Sequence, residues 1–114
     1  MTEVTGEQYV QVSTTTDSAD RAAELVSSAV AARVAACGQV VGPITSTYWW
    51  QGAQETAEEW LILFKTPADR AAALQQHILA GHGYDVPEII HTPIIGGNPA
   101  YLAWLTAETR FAQG

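Results

Sequence analysis

Between Ile44 and Thr66 lie two runs rich in β-branched and aromatic residues, Ile44 to Trp50 and Glu58 to Thr66, joined by the polar segment Gln51 to Ala57. That composition favours strands, and the short polar joint makes them an antiparallel hairpin with its turn over Gln51 to Ala57. The second run is apolar at odd and even positions from Trp60 to Phe64, which predicts a strand inside a sheet rather than at its edge. The first run is prolonged backwards through Gln39 to Val41, with a bend at Gly42-Pro43. A hairpin of this length carrying Trp49, Trp50 and Trp60 outgrows the single domain, 1–114, that 114 residues supply. Left alone, its edges and aromatic faces would invite aggregation. The hairpin therefore predicts a closed ring of copies in which neighbouring hairpins pair edge to edge.

The remaining elements follow from local pattern. Met1 to Gln8 is polar without a period and reads as a flexible tail. Tyr9 to Thr14 alternates as a strand, with Val10 and Val12 on one face. Thr14 to Ser18 offers helix caps, and the run to Ala36 places Leu25, Val26, Ala29, Val30 and Val34 at helical spacing. Thr66-Pro67-Ala68-Asp69 predicts a capped start for a helix over Pro67 to Ala80, burying Ala71, Leu74 and Ile78. Glu88 to Ile95 reads as the fourth strand, and Asn98-Pro99 starts a short helix with Tyr101, Leu102, Trp104 and Leu105. The order βαββαβ plus a helix is the α+β ferredoxin-like pattern, with both main helices on one face of an antiparallel sheet.

Charge narrows the partners. Twelve acids against five basic residues give a formal net charge of -7, which disfavours nucleic acid and anionic membrane surfaces. A lone cysteine forms no internal disulfide, and no segment reads as a signal peptide or membrane span, so a cytoplasmic setting is expected. No nucleophile elbow, phosphate-binding glycine loop or helical metalloprotease motif stands in the chain, and no enzyme activity is expected.

Chemistry concentrates in His82-Gly-Tyr84-Asp85-Val-Pro-Glu88-Ile-Ile90. Gly81 and Gly83 allow a sharp turn with positive φ around His82, and Pro87 puts Glu88 at the mouth of the last strand. This stretch resembles the signature of the CutA family, the divalent cation tolerance proteins. Ala35-Ala36-Cys37, the segment Thr45 to Gly52, and Leu63-Phe64-Lys65-Thr66 agree with it in order, so the similarity spans roughly residues 8 to 106. The resemblance implies a compact trimer with a ferredoxin-like subunit and a part in divalent metal tolerance, copper foremost.

The copper site proposed within that family uses a thiol near the end of the first strand and adjacent histidines in this turn. Here those positions read Ser13 and Gly81-His82, which leaves His82 as the metal candidate and predicts weakly bound copper or another divalent cation. Cys37, flanked by Val34, Ala35 and Ala36, is expected to be a small buried hydrophobe. His77 and His91 belong to no motif and are expected to be structural. Lys65 interrupts an apolar strand and needs a partner, which the resemblance implies to be Glu88. Lys65, Glu88, Tyr84, Trp49 and Trp50 are also the residues that would line a cleft between subunits. They sustain a rival expectation, a PII-like regulatory trimer that binds a small anionic ligand.

Overall fold

The computed structural model describes residues 8–110, so the tail expected over Met1 to Gln8 lies outside it but for Gln8. Its elements are β1 (Tyr9–Thr16), α1 (Ala19–Ala31), β2 (Cys37–Trp50), β3 (Ala53–Pro67), α2 (Ala71–Gly81), β4 (Ile89–Pro93) and α3 (Pro99–Ala107). The sheet is antiparallel in the order β2-β3-β1-β4, the ferredoxin-like arrangement expected.

Alternation along the strands makes two unlike faces. On one, Val10, Val12 and Thr14 of β1 oppose Thr66, Phe64 and Ile62 of β3, and all six are buried. Leu25 and Ala29 of α1 and Leu74 and Ile78 of α2 close over them. Each large side chain fully buried there stabilises the fold by about 1.5–3 kcal/mol relative to exposure. The opposite face, called outer below, carries Gln11 and Ser13, then Leu61, Leu63 and Lys65, and Gln39 and Val41 of β2. Among the described residues, α3 is the one helix that reaches it, through hydrogen bonds Tyr9 Oη–Thr106 Oγ1 of 2.8 Å and Cys37 Sγ–Tyr101 Oη of 3.3 Å.

The hairpin outruns the rest of the sheet. β1 stops pairing with β3 at Trp60, so Ile44–Trp50 and Ala53–Glu59 continue as a two-stranded ribbon. The molecule accordingly measures 50 × 34 × 21 Å. At the tip, Trp49 is 75% and Trp50 59% exposed. Its turn is only Gln51-Gly52, both with positive φ, rather than Gln51 to Ala57. The polar residues of 54–57 were expected in the turn because no core favours apolar ones there, yet they pair as strand.

Three further boundaries differ from expectation. Ser18 caps α1, its hydroxyl accepting from the Arg21 N–H at 3.0 Å, but the helix ends at Ala31 rather than Ala36. Arg33 turns the chain with φ of 60°, and by Ala36 the backbone already donates to Lys65 O at 3.1 Å. Thr66 caps no helix. Its hydroxyl donates to Val34 O at 2.9 Å, Pro67 stays in β3, and a 3-10 turn over Ala68–Arg70 leads into α2. β4 is shorter than Glu88 to Ile95, leaving Glu88 before it.

β2 bends where expected, its register with β3 shifting between Val41 and Ile44. A Cβ at Gly42 would overlap the indole of Trp60, lying 2.8 Å from Cγ. Gly42→Ala is therefore expected to destabilise the chain by about 1–3 kcal/mol, measured as a lower urea midpoint. An unchanged midpoint would mean that Trp60 swings aside freely.

Candidate functional site

The turn after α2 is fastened by its histidine. His82 itself is extended, with φ of -81°, and neither Gly81 nor Gly83 takes the positive φ expected of them. Space accounts for Gly81 but not for Gly83, where a Cβ would make only ordinary van der Waals contact. A Cβ on Gly81 would stand 3.2 Å from Leu25 Cδ2, and one on Gly83 3.5 Å from the Arg21 guanidinium.

From this position the imidazole crosses to the end of β1. Nε2 lies 2.8 Å from Thr15 O and 3.1 Å from Thr14 Oγ1, while Nδ1 accepts the Tyr84 N–H at 3.1 Å. A carbonyl only accepts, so Nε2 carries the proton and Nδ1 uses its lone pair on the backbone. The ring is neutral, with both nitrogens engaged. Burial holds its pKa below the usual histidine value, with the positive charge of Arg21 adding to the effect and the Thr15 bond, Asp17 and Glu59 opposing it.

Tyr84 continues the link. Its ring centroid lies 4.9 Å from that of His82, and its hydroxyl donates to Glu59 Oε2 at 2.7 Å. Burial first, and the bond to Glu59 second, raise the phenol's pKa. Thr15, His82, Tyr84 and Glu59 thus form one chain of contacts that pins the 82–88 turn to β1 and to the root of the ribbon.

The other candidates do not join this cluster within the chain. Lys65 donates to Gln39 Oε1, not to Glu88, which is exposed. Six residues of β3 separate Lys65 from Glu59, about 20 Å at strand rise. Trp49 pairs with Gln54 and Trp50 with Ala53 at the far end of the ribbon. A cleft uniting Lys65, Tyr84, Glu88, Trp49 and Trp50 would need more than one copy.

Cys37 is partly exposed rather than buried, because β2 starts with it and turns its side chain to the outer face, where it meets Tyr101. The bond to Cys37, with partial burial, pushes the Tyr101 phenol up to about 12. His77 Nε2 bonds Ser28 Oγ and His91 Nε2 bonds Gln75 Oε1, each at 2.8 Å. Both join helices or helix and sheet, a structural use.

The donors of the single chain do not fit a resident metal. Among the described residues, no three of His, Cys, Asp and Glu gather in a metal-holding group, and His82 has no free lone pair. Glu59, Thr15, Gln39 and Tyr101 went unrecognised in the sequence. Strand alternation places Glu59 and Gln39 on the outer face, but nothing local names their partners.

Comparison with known proteins agrees with this frame. The chain is 45% identical over 86 residues to a chloroplastic CutA protein of Oryza sativa, covering 75% of this chain and 49% of that one. It thus spans about half the length of the curated plant relatives it matches. Against the divalent-cation tolerance protein CutA of Thermus thermophilus it is 39% identical over 95 residues, 83% of this chain and 92% of that one. A crystal structure of CutA1 from Oryza sativa superposes with a TM-score of 0.88 at 39% identity, covering 92% and 96% of the two chains. The family description for the CutA1 divalent ion tolerance protein matches residues 10–108, from the first buried valine to the end of α3 and its cap. The chain belongs to the CutA1 divalent ion tolerance protein family.

Proposed function

We propose that this chain serves divalent-cation tolerance as a cytoplasmic, non-enzymatic homotrimer that meets copper weakly through His82. The observation that carries the assembly is the ribbon: two strands with open edges and Trp49 and Trp50 largely in solvent. An isolated two-stranded ribbon is marginal in water, and copies that add strands to its edges would remove both the edges and the aromatic exposure. The role in cation tolerance rests on relatives that carry that description, such as those from Thermus thermophilus and Pectobacterium atrosepticum. A lone cysteine suits the cytoplasm.

Light scattering at micromolar concentration tests the assembly. The expected mass is three times the 12.2 kDa chain, and a single-chain mass would refute it.

Copper at His82 has to displace either the Tyr84 N–H from Nδ1 or the proton from Nε2. One imidazole and no preformed second donor make a weak site. The expected affinity is micromolar at best, about -8 kcal/mol, and acid removes it as the imidazole protonates. Calorimetric titration with copper should show this binding, and His82→Ala should abolish it. If the variant keeps wild-type affinity, the metal sits elsewhere.

A further inference from the structure

The last helix is loosely joined at one end and fastened at the other. Ile94 N–H donates to Tyr9 O at 2.9 Å, the last bond of the sheet before α3. Beyond it, among the described residues, Ile95, Gly96 and Gly97 make no backbone hydrogen bond. Ile95 is 91% exposed, and a Cβ on Gly96 would meet nothing within 4 Å. Few contacts and unpaired backbone make such a segment the easiest place for a local opening to turn. Packing holds α3 thinly as well, since Leu105 is its one buried residue. Tyr101 and Trp104 stack on each other at 5.6 Å and stay partly in solvent. Thr109 is buried just past the helix, but its hydroxyl donates back to Leu105 O at 2.9 Å and ties the segment only to itself.

Charge does the fastening. Arg33 Nη1 donates at 3.0 Å both to Glu108 O, the carbonyl of the residue that ends the helix, and to Glu108 Oε1. A carboxylate at the negative end of a helix is unfavourable on its own, and the guanidinium answers carboxylate and carbonyl together. Two residues on, Arg110 Nη2 donates to Asp69 Oδ2 at 3.0 Å, in the turn before α2. Arg70 of that turn donates to Arg33 O at 3.2 Å, so the two anchoring connections are tied to each other. Arg33 holds α3 from a strained backbone, because its φ of 60° suits glycine and crowds an L side chain. Strain retained at one residue points to what its side chain does. Both ion pairs are exposed, so salt reaches them, and each shifts an equilibrium by about twofold to fivefold.

We propose that α3 is a salt-sensitive latch, an arm that turns about residues 95–97 and is held shut by Arg33 on Glu108 and Arg110 on Asp69. Opening carries Tyr101 away from Cys37 and uncovers the start of β2. Both clamps lie within one chain, and the latch is independent of copper binding at His82.

Hydrogen exchange of the full chain, read by mass spectrometry on peptides from α3 and from β1 and β3, tests it. In the wild type, α3 should exchange faster as salt is raised to about 1 M, while β1 and β3 change little. Arg33→Ala should speed α3 exchange about threefold at low salt, and Arg33→Ala combined with Arg110→Ala about tenfold, after which salt should add little. Arg33→Gly separates the latch from the fold. It relieves the backbone, so its urea midpoint should exceed that of Arg33→Ala, yet its α3 should exchange just as fast. The light-scattering mass of all three variants should match that of the wild type. Exchange of α3 that ignores salt in the wild type, or that is unchanged in the double variant, would overturn the latch. So would α3 exchange that slows in step with the higher midpoint of Arg33→Gly, because α3 would then open only with the whole fold. A fall in mass alongside faster exchange would also overturn it, since contacts between copies would then be what holds α3.

Discussion

Trp50→Glu should reduce the assembly to single chains at micromolar concentration while leaving each chain folded. Trp50 stands at the end of the ribbon, 59% exposed, beyond every residue of the buried core. Within one subunit a carboxylate there reaches water and costs the fold little. Across a closed interface the same carboxylate would be taken out of water without a partner, a penalty of several kcal/mol. The indole it replaces would also be missed. Trp50, 59% exposed, has about 90–150 Å2 left to bury on association, which contributes about 2–4 kcal/mol by area. In the proposed trimer, three equivalent contacts multiply both losses. Light scattering should show the mass of one chain, and circular dichroism should show unchanged secondary structure. A full-size assembly in Trp50→Glu would place the hairpin tip outside the contact, and the ribbon's exposed tryptophans would need another explanation.

The same ribbon shows how far the sequence alone could be read. Its existence, its bend at Gly42 and its antiparallel return follow from residue types, since β-branched and aromatic runs have few other uses. The buried stripes of Leu25 and Ala29, and of Ala71, Leu74 and Ile78, are likewise legible, because helical spacing against a sheet leaves one solution. Boundaries set by single backbone conformations were not. Arg33 at positive φ carries no residue signal, and Thr66 spends its hydroxyl on Val34 O, a partner 32 residues away, instead of capping a helix.

The candidate site was legible as a place but not as an arrangement. His82 was identified by its unusual neighbours, yet its state depends on Thr15 O, 67 residues distant in sequence. Lys65 interrupts an apolar strand and Glu88 was the expected partner, but within the chain it meets Gln39, a partner set by strand register and not by charge. Motif reasoning supplies residue types, whereas hydrogen-bond saturation is a property of the folded chain.

His82→Ala should destabilise the chain markedly at neutral pH and flatten its response to acid. In the wild type the imidazole satisfies Thr15 O and the Tyr84 N–H, and its removal leaves two backbone groups without those partners. Each unsatisfied group costs about 1–3 kcal/mol where water cannot replace the ring, so a loss of about 2–4 kcal/mol is expected, allowing for partial access of water. The pH dependence has a definite sign. Burial lowers the folded-state pKa of His82 below its unfolded value, so between those two values the unfolded chain binds more protons. Wild-type stability therefore falls as pH drops from the ordinary histidine value of 6.5 toward the folded-state pKa, and this contribution is flat above and below that window. For one proton the slope cannot exceed about 1.4 kcal/mol per pH unit, and the ring's partial exposure keeps it below that limit. Protonation at Nδ1 also sets an N–H against the Tyr84 N–H, which opens the link to Glu59. Urea midpoints measured across the window for both proteins should show a lower midpoint and a smaller slope in His82→Ala. A slope unchanged by the substitution would assign the acid response to a group other than His82.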